Sequence, residues 1–346
     1  MAGSQRVLTE RALNRAVLAR QLLLERAKLP LARAAERVGC LQTQYAPSAY
    51  IGFWSRLEGF EREQLTRALE RRSVVQAMMM RNTIHVASSR DYWPMILAIR
   101  AERKAWARRV QQAEDRELER AAAKLRKLLA GGETLRLREL QALGRTVWRP
   151  GTAIWVDLVR VPPSGTWERR RADLYGLAED WLGPPPSLSA DDAMDHLVRR
   201  YLGAFGPAAR TDIATWAGVR IGALAPALAR LRLRRFRDEH GGELLDLPRA
   251  PLPDPETPAP VRFLPTWDAT LLVHARRAGI LQEEHRRQIF HVKNPQSEAT
   301  FLVDGKVAGV WRHRQGQIVL EPFGRVPKET RRELNEEAER LAAFYT

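Results

Sequence analysis

Gly39-Cys40-Leu41-Gln42-Thr43-Gln44-Tyr45-Ala46-Pro47-Ser48-Ala49-Tyr50 is the stretch from which the rest of the chain can be placed. Pro30 suits the first position of a helix over residues 31–38, and Gly39 suits the end of that helix. Pro47 disfavours helical dihedral angles at Ala46. The segment between Gly39 and Pro47 is therefore predicted to be extended.

Two glutamines, Gln42 and Gln44, lie two residues apart within this segment. On a helix their side chains would point about 200° apart, whereas on extended backbone they share a face. A primary amide does not titrate near neutral pH, so it can orient a water molecule but is a very poor general base. Such a pair suits hydrolysis only where the leaving group is already activated. The alternative is that both are solvated or capping glutamines.

The segments on either side predict one compact unit. Helices are expected at residues 8–27, 51–57 and 62–72, in addition to 31–38. They are followed by two short strands, 74–80 and 83–87, around the turn Arg81-Asn82. Helices followed by a hairpin form the order of a winged helix-turn-helix domain.

Two further units of this kind are predicted downstream. After helical stretches at 92–112 and 114–129, the second has a helix at 135–143, a helix or strand at 152–159 and a wing strand at 167–174. The third has helices at 191–202, 210–217 and 221–231 and strands at 233–240 and 243–247. Gly183-Pro184-Pro185-Pro186 marks a boundary between them. The predicted domains are residues 1–130, 131–186 and 187–250.

The C-terminal part differs in composition and in predicted secondary structure. Residues 248–260 carry six prolines and predict a semi-rigid connector. Strands are expected at 261–264, 300–303, 307–312 and 317–320, with Asp304-Gly305 as a hairpin turn, before a helix at 328–344. Residues 261–346 are therefore a fourth, β-rich region. The fold class is mainly α with β-hairpin wings, an α+β protein.

The charge balance points to a polyanionic partner. The 346 residues have a net charge of +16 and a pI near 10.8, and arginine supplies 50 of the 57 basic residues. Arginine pairs bidentately with phosphate and guanine, which favours nucleic acid over a membrane surface. A solvated basic surface remains the alternative.

The sequence also limits where the protein is expected in the cell and which cofactors it is expected to bind. No apolar run is long enough to cross a membrane, and the N-terminus lacks a signal-peptide core. The single cysteine, Cys40, excludes an internal disulfide framework and is expected to be a small buried hydrophobe. A reduced, cytoplasmic, nucleoid-associated protein is expected. The histidine spacings between His274 and His313 lack zinc-site patterns, so no metal is predicted. Glycine motifs of the nucleotide-binding kind lack a strand–turn–helix context, so no cofactor is predicted.

Several phrases together resemble one known family. They are Phe263-Leu264-Pro265-Thr266-Trp267-Asp268, Leu271-Leu272-Val273-His274-Ala275-Arg276-Arg277, the run from Thr300 to Arg312, Arg81-Asn82-Thr83-Ile84-His85-Val86 and Gln42-Thr43-Gln44. This combination is similar to the bacterial winged-helix DNA glycosylases typified by AlkZ and YcaQ. The resemblance covers nearly the whole chain.

The resemblance implies both a fold and an activity. The family has three tandem winged helices in a C-shape around duplex DNA, plus a C-terminal β-rich part. It excises N7-alkylated guanines and unhooks interstrand crosslinks, often as self-resistance to a genotoxin. Gln42 and Gln44 match the two glutamines of the AlkZ-like branch, whereas Thr43 stands where that branch has an aliphatic residue. The two glutamines are then the expected catalytic residues.

Eight further residues are candidates for DNA contact: Tyr45, Arg81, His85, His274, Arg276, Arg277, Arg312 and Arg314. Tyr45 either lines a lesion pocket or anchors a core. Arg81 and His85 lie on the first predicted wing, and Arg312 and Arg314 at a hairpin, where each either meets the DNA backbone or has a structural or solvated role.

Two classes of function follow. The first is a monomeric, monofunctional DNA glycosylase that clamps double-stranded DNA carrying alkylated bases. The second is a non-catalytic winged-helix DNA-binding protein such as a transcriptional regulator, and a weaker third is a structural nucleic-acid binder with a decayed site. Regulators usually dimerise on a palindrome, whereas three candidate units in one chain favour a monomer.

Overall fold

The computed structural model describes residues 6–111, 114–149, 151–291 and 296–346. In these ranges the helices are α1 (Glu10–Arg20), α2 (Leu31–Val38), α3 (Ala46–Arg56), α4 (Arg62–Glu70), α5 (Ser89–Gln111), α6 (Asp115–Leu129), α7 (Leu137–Ala142), α8 (Thr152–Val156), α9 (Ala178–Leu182), α10 (Ala190–Phe205), α11 (Arg210–Ala217), α12 (Ile221–Arg230), α13 (Arg286–Ile289) and α14 (Lys328–Tyr345). Across the same ranges, none of the helices has the length and apolarity that a membrane span requires.

The strands are short and belong to several sheets. They are β1 (Val7–Leu8), β2 (Leu41–Gln42), β3 (Val74–Met78), β4 (Ile84–Ser88), β5 (Leu135–Arg136), β6 (Leu158–Arg160), β7 (Leu174–Leu177), β8 (Arg234–Asp238), β9 (Glu243–Asp246), β10 (Arg262–Leu264), β11 (Phe290–His291), β12 (Gln296–Ser297), β13 (Thr300–Val303), β14 (Lys306–Arg314) and β15 (Gln317–Pro322).

A six-stranded antiparallel sheet, in the order β2-β4-β3-β6-β7-β5, carries the predicted first hairpin. The β3–β4 turn at Arg81 and Asn82 is confirmed, and both residues have the positive φ of a tight hairpin turn, 53° and 57°. The hairpin is not a free wing, because β2 covers one edge and β6 the other. Residues expected in the first and second units therefore share one sheet.

The helices around this sheet follow the local signals with two corrections. Helix α2 is confirmed over Leu31–Val38, with Gly39 left-handed at its end (φ 72°). The first helix ends at Arg20 rather than at residue 27. Helix α3 begins at Ala46 rather than at residue 51, because a proline in the first turn lacks only an N–H that a helix leaves unbonded anyway.

The wing strand expected at 167–174 is not formed over these residues. The chain there turns instead, with the Gly165 N–H donating to the Arg169 carbonyl, and the strand is Leu174–Leu177. Gly165 has a φ of 79°, and a side chain at this position would collide with the Gln76 amide, so only glycine fits the turn. The preceding ambiguous segment is resolved as helix α8 followed by strand β6.

The third predicted group appears in the expected order, as α10, α11, α12 and the antiparallel pair β8–β9. Strand β1 pairs parallel to β8, so the N-terminal strand joins this group. A fully buried ion pair between Arg20 and Asp246, at 2.7 Å, holds the end of α1 against β9. The N-terminal segment is thus attached to residues more than 220 positions away.

The C-terminal region has the expected hairpins. Residues 248–260 form neither helix nor strand, and the sheet β10-β13-β14-β15 follows, with the β13–β14 turn at Asp304 and Gly305. A second fully buried ion pair, Arg56 to Asp268 at 2.9 Å, joins α3 to this region. The apolar core around α10 likewise combines side chains from both ends of the chain, among them Val17 and Val310. The segments therefore fold against one another, with the α3–C-terminal contacts close to the two glutamines.

Candidate active site

Strand β2 places Gln42 at the edge of the six-stranded sheet. Gln42 pairs with His85 of β4, and the Thr43 N–H donates to the Ile84 carbonyl at 2.8 Å. Gln44 follows in a bend just before α3. The predicted extended backbone at Gln42 is confirmed, and β4 supports the whole segment from one side.

The orientation of both amides is fixed by their hydrogen bonds. Gln42 Oε1 accepts from Arg81 Nη2 at 2.9 Å, and Gln44 Oε1 accepts from the Ile84 backbone N–H, also at 2.9 Å. Both partners can only donate, so the atom facing each of them must be the carbonyl oxygen. Each oxygen has a second lone pair for another donor. Gln42 is buried at 7% exposure, whereas Gln44 is exposed.

Thr43 fits the buried position between the two glutamines. Its side chain is 1% exposed, and its hydroxyl donates to the Tyr45 carbonyl at 3.2 Å. A buried hydroxyl that is hydrogen-bonded to a nearby backbone carbonyl carries little penalty. The polar residue therefore replaces an aliphatic one here without an unsatisfied donor.

Arg81 is turned into the protein. Its guanidinium donates to Gln42 and to the Trp216 carbonyl near the end of α11. Both acceptors are neutral, and burial lowers the pKa of Arg81 to about 10, so the side chain stays protonated at neutral pH. The structure thus places Arg81, a predicted DNA contact, against the candidate catalytic amide.

His85 and His274 are buried, at 2% and 1% exposure, which leaves them no surface for a phosphate. His85 Nδ1 must carry the proton, because it donates to the Thr83 carbonyl at 3.0 Å. Burial, and then the charge of Arg81, lowers the pKa of His85 to about 3. The same causes hold the pKa of His274 well below its usual value. Both rings are neutral.

Tyr45 is 48% exposed beside Gln44 and does not anchor a core. Its hydroxyl accepts from Arg170 Nη1 at 3.1 Å. Arg170 belongs to the run Arg169-Arg170-Arg171, which is absent from the predicted contacts and lies in the turn after Gly165. The signal for this cationic turn was three consecutive arginines shortly after Gly165.

The four candidate arginines of the C-terminal region have different surroundings. Arg277 is turned inward, where it donates to Asp212 at 2.9 Å and to the Pro207 carbonyl at 2.6 Å. Arg276 is half exposed and pairs with Glu283 at 2.9 Å. Arg312 pairs with two carboxylates, Glu321 and Glu298. Arg314 is exposed at the end of β14.

The hairpin of β14 and β15 packs on the C-terminal helix near Tyr45 and Arg170. His313 stacks on Tyr345 with ring centres 4.0 Å apart. Burial, followed by the neighbouring Tyr45, raises the pKa of Tyr345, and burial, followed by the charge of Arg170, lowers the pKa of His313. The structure thus brings together the glutamines, Tyr45, Arg170 and this hairpin. Within the described ranges, His, Cys, Asp and Glu side chains form no group of three arranged to hold a metal ion.

Comparisons with known proteins identify a family and a fold. The family model described as "DNA glycosylase AlkZ-like" matches residues 35–344, which include both glutamines. The solved structure of the Streptomyces sahachiroi DNA glycosylase AlkZ has a similar fold, with a TM-score of 0.81 and 19% sequence identity. The match covers 98% of this chain and 97% of that one. No curated protein matches the chain in sequence at a significant level.

Proposed function

The chain belongs to the AlkZ-like DNA glycosylase family, and from this premise we propose that it hydrolyses the N-glycosidic bond of N7-alkylated purines in duplex DNA. Gln42 and Gln44 hold the attacking water. The observation that carries this proposal is the fixed orientation of the two amide carbonyls. DNA glycosylase activity is the function of the family, which leaves the transcriptional regulator without support.

The surroundings of the glutamines suit a leaving group that needs no acid. A purine alkylated at N7 carries a positive charge, so it leaves as a neutral base without being protonated. His85 and His274 have pKa values lowered by burial, so neither supplies a proton at neutral pH. The site is therefore selective for a base that is already activated.

The carbonyl oxygens provide acceptors for a water molecule. Arg81 and the Ile84 N–H each occupy one lone pair, which leaves one lone pair on each carbonyl oxygen to accept an O–H of water. A lone pair of the water bonds to C1′ of the sugar as the bond from C1′ to the neutral leaving base breaks, and the excess proton passes to bulk water. The carbonyl dipoles also favour the oxocarbenium-like charge that develops there, and they need no reorganisation.

The exposed residues around the glutamines contact the substrate. Tyr45 and Gln44 lie at the surface, which leaves space for a bulky N7 substituent or for one base of a crosslink. Arg170, Arg276 and Arg314 face the phosphates, while His85, His274 and Arg277 support the site from behind. A net charge of +16 on a monomer suits the clamping of double-stranded DNA.

A comparison of leaving groups tests the proposal. Purified protein is incubated with duplexes that contain N7-methylguanine, uracil or only normal bases, and released bases are measured by chromatography. We expect release of N7-methylguanine alone, because the two amides and the neutral histidines cannot protonate a leaving base. Release of uracil or normal guanine at a comparable rate would contradict the mechanism.

A further inference from the structure

We propose that Arg81 is a positioning residue through which helix α11 sets the amide of Gln42. This assignment rests on the proposed function of Gln42. The guanidinium bridges two groups that are far apart in sequence, Gln42 Oε1 at 2.9 Å and the Trp216 carbonyl. The active-site strand is thereby connected to the third helical group of the chain.

The backbone of the β3–β4 turn brings Arg81 to this place. Arg81 and Asn82 both have a positive φ, a conformation that costs a non-glycine residue free energy and persists only where the surroundings impose it. The turn aims the Arg81 side chain between β2 and α11. A guanidinium has several N–H groups in a rigid plane, so one side chain can serve both acceptors.

The end of helix α11 is suited to receive a cation. Trp216 lies in the last turn, where helix carbonyls lack an N–H from within the helix. The negative end of the helix dipole favours a positive group there. The bond from Arg81 to Gln42 is charge-assisted, which makes it stronger than a bond between neutral groups and holds the amide against rotation.

Gly218, just beyond α11, permits this close contact. Its φ is 74°, and a Cβ at this position would lie 3.1 Å from both the Cα and the backbone N of Arg81. Both atoms belong to the backbone of a tight turn and have little freedom to move. A methyl group at residue 218 therefore displaces Arg81 without changing either partner of the Arg81–Gln42 bond.

Substitution of Arg81 tests the proposal directly. Arg81→Met removes both hydrogen bonds, and Arg81→Lys keeps the charge but not the planar fork. We expect the single-turnover excision rate to fall roughly 10- to 100-fold in Arg81→Met and less in Arg81→Lys, because small misplacements at a reacting centre are costly. The Kd for lesion-containing DNA stays within about threefold of the wild-type value.

Gly218→Ala tests the same connection from the other side. We expect an excision rate reduced by roughly tenfold, since the displaced turn misplaces Gln42. Gly59→Ala is the matched control: Gly59 also has a positive φ, 61°, but among the described residues no atom lies within 4 Å of the position that its Cβ would take. The Gly59→Ala variant therefore has a backbone strain similar to that of Gly218→Ala, and its excision rate should equal the wild-type rate. The double variant Gly218→Ala/Arg81→Met should be no slower than Arg81→Met alone.

The outcomes separate the possible roles of Arg81. Weaker DNA binding with an unchanged single-turnover rate would show that Arg81 contacts phosphate, and additive rate losses in the double variant would exclude a shared path. Rates that follow only the folded fraction, measured by thermal melting, would reduce Arg81 to a structural role. Any of these results overturns the proposal. Gln42→Ala is measured in parallel: if its rate is unchanged, the proposed function itself fails.

Discussion

Gln42 and Gln44 carry the same amide in two different surroundings. Gln42 is buried and faces a guanidinium, while Gln44 is exposed and faces a backbone N–H. The Ile84 N–H is a neutral donor, so the Gln44 carbonyl remains the stronger hydrogen-bond acceptor of the two. Two identical side chains thus have different electrostatic surroundings, set by a strand and a turn.

The buried histidine beside them makes stability depend on pH. The folded-state pKa of His85 is lowered to about 3, so the unfolded chain binds more protons between about pH 3 and 6.5. Stability is then fully present above this window and falls as the pH decreases through it. Between pH 7 and 5, His85 alone removes about 2 kcal/mol of stability.

Melting temperatures at pH 7 and pH 5 measure this effect. We expect His85→Gln to melt lower than wild type at pH 7 but to lose less stability on going to pH 5. His240→Gln serves as the control because His240 is exposed. An equal loss in wild type and His85→Gln would show that His85 does not titrate on unfolding in this range.

At the level of elements, the β14–β15 hairpin presents two arginines with different neighbours. Arg312 is already balanced by Glu298 and Glu321, whereas Arg314 is exposed at the end of its strand. Each phosphate neutralised by a protein cation releases counterions and adds about 0.9 to the slope of log affinity against log salt. Arg314 should therefore contribute more than Arg312 to the affinity for DNA.

We predict that Arg314→Ala weakens binding to duplex DNA several-fold at low salt and lowers the salt slope by about 1. Arg312→Ala should change the slope by less, since its charge is compensated by two carboxylates. Fluorescence anisotropy over a range of salt concentrations measures both. Equal effects of the two substitutions would show that the hairpin releases Arg312 from its carboxylates when it binds.

Local sequence signals were sufficient where neighbouring residues decide the structure. Pro30 and Gly39 gave the bounds of α2, and Asp304-Gly305 gave the β13–β14 turn. They failed where distant residues decide. After α1 the chain turns at Leu22 (φ 58°) and Ala27 forms a bridge with Leu57, and the turn after Gly165 depends on packing against Gln76.

At the scale of the whole molecule, long-range contacts determine which predicted site residues reach the surface. Arg81 meets α11, and Arg277 meets Asp212 and the carbonyl of His274. In the sequence these residues look like any other basic residue near a turn. Only the packing of α11 and the C-terminal region against the rest of the chain separates the buried basic residues from the exposed ones.

The two glutamines could be singled out because they lie in a local feature, the short non-helical segment between a helix stop and a helix start. They also lie within residues 35–344, which match the family model. The two buried ion pairs, Arg20–Asp246 and Arg56–Asp268, have no such local signal, because their partners lie more than 200 residues apart.

The most direct test compares wild-type protein with the Gln42→Ala/Gln44→Ala variant on a duplex containing either N7-methylguanine or a bulky N7 adduct. We predict base release by wild type and a loss of at least about 100-fold in the variant, with its affinity for the same duplex nearly unchanged. Base release by the variant at the wild-type rate would contradict the assignment of the glutamines. Tight binding by wild type without release of either base would contradict the proposed activity on these lesions.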